Sequence, residues 1–141
     1  MEQRLTLITL GVADVQTAAN FYENKFGWTK AKTSNADIVF FQLNGIQLAL
    51  YAKEKLAEDA NSSAVGSGFK AFTLSFNTRT INEVDELMTI LKQRGVTIVK
   101  AAEKAVWGGY SGYVSDPDGN LWEIAYNPFL PLDAKGNIVN Q

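Results

Sequence analysis

The sequence contains neither cysteine nor histidine, and these two absences exclude a large part of enzyme chemistry. Without cysteine there is no disulfide, no thiol nucleophile and no thiolate ligand for a metal. Without histidine there is no Ser-His-Asp triad, and the commonest general base and transition-metal ligand are missing. Any chemistry must therefore use Asp, Glu, Lys, Tyr, Ser, Thr or backbone groups.

The chain also lacks a basic cluster and a long apolar run. Its 13 Lys and Arg residues and 15 Asp and Glu residues give a formal net charge of −2, so we expect no nucleic-acid partner. No apolar stretch approaches the roughly 20 residues of a membrane span, and the first four residues do not resemble a secretory signal. We therefore expect a cytoplasmic protein without a membrane partner. Its 141 residues suggest a single domain with a sizeable core.

The predicted elements occur twice in the same order, which indicates an internal duplication of a βαβββ module. The first module covers residues 4–51 and the second covers residues 69–127. Residues 52–68 are predicted as a polar linker with one short helical turn, and residues 128–141 as an extended tail. The predicted fold class is α+β, with the two modules forming a cupped, half-barrel mixed sheet that has helices on its convex side.

Local signals define the elements of the first module. Asp14 is suited to cap a helix whose buried face includes Ala18 and Tyr22, and Gly27 is suited to end it. Asn44-Gly45 is a strong signal for a two-residue hairpin. The predicted strands of this module are residues 5–12, 28–33, 37–43 and 46–51.

The second module shows equally clear signals. Thr80-Ile81-Asn82-Glu83 is a capping box ahead of a helix that Gly95 ends. Asp116-Pro117-Asp118-Gly119 is typical of a tight turn between two strands. The predicted strands are residues 69–77 and 96–100, followed by the two strands that flank this turn.

Strand alternation separates a bulky face from a smaller and more polar face in most of the strands. If the bulky faces pack on helices, the remaining faces line a trough. That lining is mostly neutral with a single acid, which is typical of a small-molecule site. The predicted lining residues are Leu7, Thr9, Gln47, Ala49, Tyr51, Ala71, Thr73, Ser75 and Glu123.

Glu123 is the candidate catalytic residue, because a lone carboxylate among apolar neighbours has either a partner or a function. One interpretation gives it direct contact with a ligand or a role as general base; the other gives it a purely structural hydrogen-bonded role. Trp107, Tyr110 and Tyr113 are candidates for a stacking wall over the pocket, with Trp107 or Tyr110 favoured, although all three could be ordinary core or sheet aromatics. The predicted ligand-binding residues are Thr9, Gln47, Tyr51, Thr73, Ser75, Trp107, Tyr110 and Glu123.

Two stretches carry a resemblance to a known family. Gly11-Val12-Ala13-Asp14, with Phe21-Tyr22 and Phe26-Gly27-Trp28 after it, forms one, and Gly112 to Glu123 forms the other. Together they resemble the vicinal oxygen chelate superfamily, which groups glyoxalase I, extradiol dioxygenases, fosfomycin-resistance enzymes and bleomycin-resistance proteins. The Asp-Pro-Asp-Gly-x-x-x-Glu pattern is fairly specific, and the resemblance implies paired βαβββ modules.

The resemblance also implies a divalent metal held by four side chains, from the first and last strand of each module. In this sequence those positions fall on Leu7, on Ala49 or Leu48, on Ala71, and on Glu123. Only the last is a ligand, and a single carboxylate does not hold a divalent ion tightly. The chain therefore resembles a metal-ligand-poor member, for which we expect no metal and no other cofactor.

Three functional hypotheses follow from these residues and the resemblance. The first is that the protein binds a small organic molecule in the trough, with Glu123 as the polar anchor. This resembles the bleomycin-resistance branch, whose members are dimeric, so we expect a homodimer here. The second is a lyase or isomerase of the glyoxalase type, with Glu123 as base or with atypical metal ligands. The third is a structural or partner-binding module without a small-molecule ligand.

Overall fold

The structure is a computed structural model that describes residues 1–3 and 5–139. The predicted start of the first module at residue 4 and the last two residues of the predicted tail lie outside the described residues. The chain divides into two compact units, Met1–Gly68 and Phe69–Gln141. Each unit contains one open mixed sheet with helices, so the α+β class is confirmed.

The first unit contains a three-stranded sheet in the order β1-β3-β2. β1 runs parallel to β3, and β2 runs antiparallel to it. Helix α1 packs on one face, where Leu48 and Leu50 are fully buried. The elements are β1 (Leu7–Val12), α1 (Val15–Phe21), β2 (Ile38–Gln42), β3 (Gln47–Ala52) and α2 (Lys53–Asp59).

The ends of α1 follow the sequence signals. The Asp14 carboxylate accepts a hydrogen bond from the Thr17 backbone nitrogen at 2.7 Å, which satisfies a free donor of the first turn. The helix continues through a π-helical turn at Tyr22–Phe26, and Gly27 then takes a φ of 75°. Tyr22 is fully buried and stacks on Trp28 with ring centroids 5.4 Å apart, so aromatic packing completes this core.

One predicted strand of the first unit was wrong. The strand predicted at residues 28–33 is reduced to an isolated bridge between Lys30 and Phe41. The chain turns there, because the Ser34 nitrogen donates to the Ala31 oxygen and the Asn35 side chain accepts from backbone nitrogens that follow it. The short helical turn predicted in the linker is present and extends over seven residues as α2.

The second unit contains a four-stranded sheet in the order β4-β7-β6-β5, with β4 parallel to β7. It has the predicted βαβββ order, and α3 buries Val84, Met88 and Leu91 against one face of the sheet. Thr80 caps the helix as predicted, since its hydroxyl accepts from the Glu83 nitrogen, whereas the Glu83 carboxylate accepts from the Arg79 nitrogen and not from that of Thr80. The elements are β4 (Leu74–Thr78), α3 (Ile81–Gln93), β5 (Thr97–Lys104), β6 (Tyr110–Ser115) and β7 (Leu121–Tyr126).

Strand β4 is shorter than the strand predicted at residues 69–77. Ala71 has a φ of 61°, a conformation that interrupts an extended strand and is costly for a residue with a Cβ. The prediction that the bulky residues of this strand lie under a helix also fails in part. Phe72 and Phe76 are 43% and 48% exposed, because β4 is an edge strand and α3 packs less on it than on the other three strands.

The segment after β7 folds back on its own unit. An isolated bridge joins Leu132 to Ile138, and the Arg79 guanidinium donates to the backbone oxygens of Asp133 and Ala134 at 2.8 and 3.1 Å. None of the helices in the described part of the chain has the length and apolar character needed to cross a membrane.

Candidate functional site

A row of polar side chains crosses the second sheet at the level of Glu123. Ser75 of β4 pairs with Glu123 of β7, Glu123 pairs with Tyr113 of β6, and Tyr113 pairs with Lys100 of β5. Directly paired residues project to the same face of a sheet. The neighbouring Gly112 faces Met88 of α3, so the row lies on the face away from that helix. We refer to Ser75, Glu123, Tyr113 and Lys100 as the Glu123 row.

Ser75 is within hydrogen-bond distance of Glu123 in the Glu123 row. The Ser75 hydroxyl oxygen lies 2.8 Å from Asn77 Oδ1 and 3.3 Å from Glu123 Oε2. A serine hydroxyl has one proton, so it donates to only one of these oxygens at a time. Tyr113 pairs with Glu123 across β6 and β7, and its hydroxyl lies near enough to the Glu123 carboxylate for that charge to raise the pKa of the hydroxyl.

The one cation of the Glu123 row, Lys100, pairs with a carboxylate outside the row. Lys100 forms a salt bridge to Glu103 with a nitrogen–oxygen distance of 2.7 Å. That hydrogen bond, followed by the charge of Glu103, raises the pKa of Lys100, and Tyr113 and Glu123 add to the effect. With two carboxylates and one ammonium group, the row and Glu103 together have a net charge of −1.

Tyr113 remains protonated beside this carboxylate. Its burial raises the pKa of its hydroxyl, the charge of Glu123 and the hydrogen bond to Glu123 raise it further, and Lys100 opposes them. The phenol is therefore a neutral donor at ordinary pH.

The turn between β6 and β7 sets the position of Glu123. The buried Asp116 carboxylate accepts from the backbone nitrogens of Asp118 and Asn120 at 3.0 and 2.8 Å, and from the Asn120 amide at 2.7 Å. This confirms the prediction that Asp116 forms the turn. The closed turn pairs Ser115 with Leu121, which places Glu123 opposite Tyr113.

The structure brings one of the predicted binding residues of this unit, Ser75, next to Glu123. Thr73 is exposed and lies just before β4. Trp107 lies in the turn between β5 and β6, 48% exposed, with its indole over Gly109. Tyr110 is on the other face, where its hydroxyl donates to Asp85 Oδ1 of α3 at 2.6 Å.

The other three predicted residues lie together on the first sheet. Thr9, Gln47 and Tyr51 share the face away from α1, where Gln47 donates to Gln42 Oε1 at 3.0 Å. Helix α2 approaches the same face at Gly11, where an added Cβ would lie 3.2 Å from Lys53 Cα. The ligand-binding role of these residues stays a prediction.

The predicted binding residues do not include three polar side chains near Glu123, namely Tyr113, Lys100 and Asn77. Tyr113 could have been found by counting outward from the Asp116 turn, since the same register that places Leu121 opposite Ser115 places Glu123 opposite Tyr113. Asn77 follows from alternation with Ser75. Lys100 could not be found in this way, because the pairing of β5 with β6 contains two register shifts.

The donor set does not fit a tightly held divalent ion. Of the positions that the family resemblance implies, Leu7 and Ala49 have no ligand atom, and Ala71 lies outside any strand. Within residues 1–3 and 5–139, no group of three or more His, Cys, Asp or Glu side chains could hold a metal. Ligand number and identity are the criteria that decide metal affinity.

Comparison with known proteins agrees with this fold. Residues 4–124 match the model of the Glyoxalase/Bleomycin resistance protein/Dioxygenase superfamily. The chain therefore belongs to this superfamily, which confirms the resemblance to vicinal oxygen chelate proteins.

Several solved structures are similar to this chain. A glyoxalase-related enzyme from Fulvimarina pelagi is 38% identical, with 99% of each chain covered and a TM-score of 0.87. A superfamily member from Sphaerobacter thermophilus is 28% identical, with 89% of this chain and 98% of that chain covered and a TM-score of 0.68. A lactoylglutathione lyase from Agrobacterium tumefaciens is 24% identical over 89% of this chain and 95% of that chain, with a TM-score of 0.70, and shows the shared fold alone.

Proposed function

We propose that this protein binds a small organic molecule at the Glu123 row, with Glu123 as the polar anchor and without a tightly held metal ion. The observation that carries the proposal is a half-buried carboxylate that lies beside the neutral hydroxyl groups of Ser75 and Tyr113. A carboxylate offers about four lone-pair positions, and Ser75 and Tyr113 occupy two of them at most. Glu123 therefore has acceptor capacity left for a ligand.

The metal-free part of the proposal is supported by the identity of the side chains. Glu123 stands where the superfamily resemblance implies a ligand, but the other implied positions, Leu7, Ala49 and Ala71, cannot bind an ion. The remaining oxygen atoms near Glu123 are neutral, so the site has too little negative charge for tight binding of a divalent ion.

Calorimetric titration with Ni²⁺, Zn²⁺, Mn²⁺ and Fe²⁺ tests this part. We expect no sub-micromolar binding to the wild-type protein. Glu86→Gln is the matched control for Glu123→Gln, because Glu86 is an exposed carboxylate on α3 in the same unit. Sub-micromolar binding that disappears in Glu123→Gln and persists in Glu86→Gln would overturn the metal-free proposal.

The binding role itself can be tested on protein purified from its host under native conditions. We expect a co-purifying small molecule, seen as extra density beside Glu123 in a crystal structure and by mass spectrometry after extraction. The molecule should be depleted from Glu123→Gln and retained by Glu86→Gln. Equal retention by both variants would place binding away from the Glu123 row.

The second candidate is a lyase or isomerase of the glyoxalase type with Glu123 as base. Tyr113 favours it, because a neutral phenol beside a carboxylate supplies a proton donor next to a proton acceptor. The assay follows conversion of the hemithioacetal of glutathione and methylglyoxal. Turnover that is lost in Glu123→Gln, lost in Tyr113→Phe and kept in Glu86→Gln would favour this enzyme over a binding protein.

We also propose that the protein is a cytoplasmic homodimer. Phe69, Phe72 and Phe76 are exposed on and just before the edge strand β4, and exposed apolar residues at a sheet edge mark an association surface. Light scattering after size-exclusion chromatography should give twice the chain mass, and Phe76→Asp should reduce it to one. Cell fractionation tests the location.

A further inference from the structure

We propose that the ligand of the Glu123 row carries a protonated primary amine, bound by oxygen atoms of Ser75, Asn77 and Glu123. The inference rests on the proposed function and names the chemical class of its ligand. It is based on three oxygen atoms, all able to accept a hydrogen bond, that lie close together on one face of the second sheet.

Three oxygen atoms meet around the Ser75 side chain. Asn77 Oδ1 and Glu123 Oε2 are both within hydrogen-bond distance of the Ser75 hydroxyl oxygen, at 2.8 and 3.3 Å. The single hydroxyl proton can serve only one of these two acceptors at a time. A primary ammonium group has three N–H donors, which matches the three oxygen atoms in number.

Charge favours an ammonium group over a neutral donor. The cation of the row, Lys100, forms its salt bridge with Glu103, and the row and Glu103 together have one negative charge in excess. Hydrogen bonds between an ionised donor and an ionised acceptor are roughly twice as strong as neutral ones. A ligand carboxylate would instead meet the charge of Glu123 and two further acceptor oxygens.

The residues that flank Glu123 along β7 indicate what the amine is attached to. Leu121 and Ala125 project to the same face as Glu123, and both are at least half-buried. The carboxylate is therefore bordered by apolar side chains on its own strand. An amine on an apolar or aromatic group fits these neighbours better than a polar polyamine does.

Nuclear magnetic resonance titration of the ¹⁵N-labelled protein tests the proposal with three probes that share one ring: benzylamine, benzyl alcohol and benzoate. We expect benzylamine to shift the amide signals of β4 and β7 around Ser75 and Glu123. Its dissociation constant should be lower than those of the other two probes by about tenfold or more, the effect of one charge-assisted hydrogen bond.

Variants assign the preference to its residues. Glu123→Gln should abolish the advantage of benzylamine over benzyl alcohol, and Ser75→Ala should reduce it. Glu86→Gln removes the same charge from the helix on the other face and should leave the advantage unchanged. The spectra themselves report whether each variant is folded, and the three-probe comparison on wild-type protein needs no variant.

The outcomes separate this inference from the function on which it rests. Tighter binding of benzoate or benzyl alcohol at the Glu123 row would overturn the amine while leaving small-molecule binding in place. An advantage of benzylamine that survives in Glu123→Gln would also overturn it. If none of the probes shifts the signals of β4 and β7, both the amine and the proposed function are overturned.

Discussion

Ala49 occupies the place in the first unit that Glu123 occupies in the second. Each lies on the last strand of its sheet, four residues after the glycine of the hairpin turn. Each pairs on one side with a residue of the parallel first strand, Thr9 or Ser75. On the other side Ala49 pairs with Phe40, whereas Glu123 pairs with Tyr113.

The two places differ in burial as well as in polarity. Ala49 is fully buried, and helix α2 approaches its face of the sheet at Gly11. Glu123 is half-buried and bordered by hydroxyl groups. The duplication has therefore kept the strand pairing in both copies, while the polar groups that could bind a ligand are concentrated in the second copy.

The largest expected effect on stability comes from placing a carboxylate at position 49 of the first unit. Ala49→Glu should lower the free energy of unfolding by about 4 kcal/mol or more, because it buries a charge without hydrogen-bond partners. The reverse change, Glu123→Ala, should cost about 1 kcal/mol or less, because Glu123 is partly exposed. Urea denaturation of both variants checks the prediction, and comparable losses would show that the two places are equivalent.

The second sheet depends on close contact between β6 and its neighbours. An added Cβ at Gly112 would lie 2.9 Å from the backbone nitrogen of Ala102 and the backbone oxygen of Lys100, and 2.7 Å from Met88 Cε. Backbone atoms cannot move aside easily, so Gly112→Ala should cost about 3 kcal/mol. Ser111→Ala, one residue away on the other face, is the control. A loss below about 1 kcal/mol for Gly112→Ala would contradict the prediction.

The first sheet should tolerate a glycine-to-alanine change at Gly11 of β1 better than the second sheet tolerates Gly112→Ala. In Gly11→Ala the new methyl group would meet Lys53 Cα at 3.2 Å and Leu56 Cδ2 at 3.3 Å, both belonging to the short and largely exposed helix α2. We expect a change within about 1 kcal/mol, because reduced freedom of the unfolded chain offsets the displacement of α2. Hydrogen exchange should accelerate in α2 and remain unchanged in β3. Unchanged exchange in α2 would mean that the helix does not need this close approach.

The smallest expected effect concerns the ionisation of Tyr113. Glu123→Gln removes a charge that raises the pKa of Tyr113, so this pKa should fall, while burial continues to hold it above the ordinary value. Because the pKa is higher in the folded than in the unfolded protein, protonated Tyr113 contributes its full stability below about pH 10. That contribution is lost as the pH rises through the folded-state pKa.

Titration of ¹³C-labelled tyrosine side chains measures this pKa directly, and Tyr110 provides the internal control. Its pKa is raised chiefly by the hydrogen bond to Asp85 on the other face of the sheet. It should therefore respond to Asp85→Asn and not to Glu123→Gln. A Tyr113 pKa that is unchanged in Glu123→Gln would argue against the contact between Tyr113 and Glu123.

Elements with a local cause could be predicted from the sequence. The Asp14 cap, the Thr80 cap and the Asp116 turn each depend on residues within about four positions of one another. Strand β4 began later than predicted, because the backbone of Ala71 takes a conformation that alternation cannot reveal. The strand predicted at residues 28–33 did not form, because a turn follows it directly. In this turn the Asn35 and Ser34 side chains accept hydrogen bonds from backbone nitrogens of the chain that comes after them.

The candidate site was predictable only where register could be counted. Glu123 and Ser75 follow from alternation and from the parallel pairing of β4 with β7. Tyr110 was predicted to bind the ligand and Tyr113 was not, although Tyr113 is the one on the face of Glu123. The stretch around them is rich in glycine and aromatic residues, so it has no apolar alternation from which the buried and exposed faces could be told apart. Lys100 depends on the register shifts of β5, which are set by packing in three dimensions.

The turn that the buried Asp116 carboxylate stabilises also determines which mutations the site can tolerate. Side chains alternate along a strand, so a slip of one residue in the β6–β7 hairpin would bring Trp122 to the face that carries Glu123 and turn Glu123 towards α3. An insertion or deletion of one residue in this turn would therefore be more damaging than most substitutions within the site itself. In a population of related sequences, the length of this turn should vary less than the identity of the residues that contact the ligand.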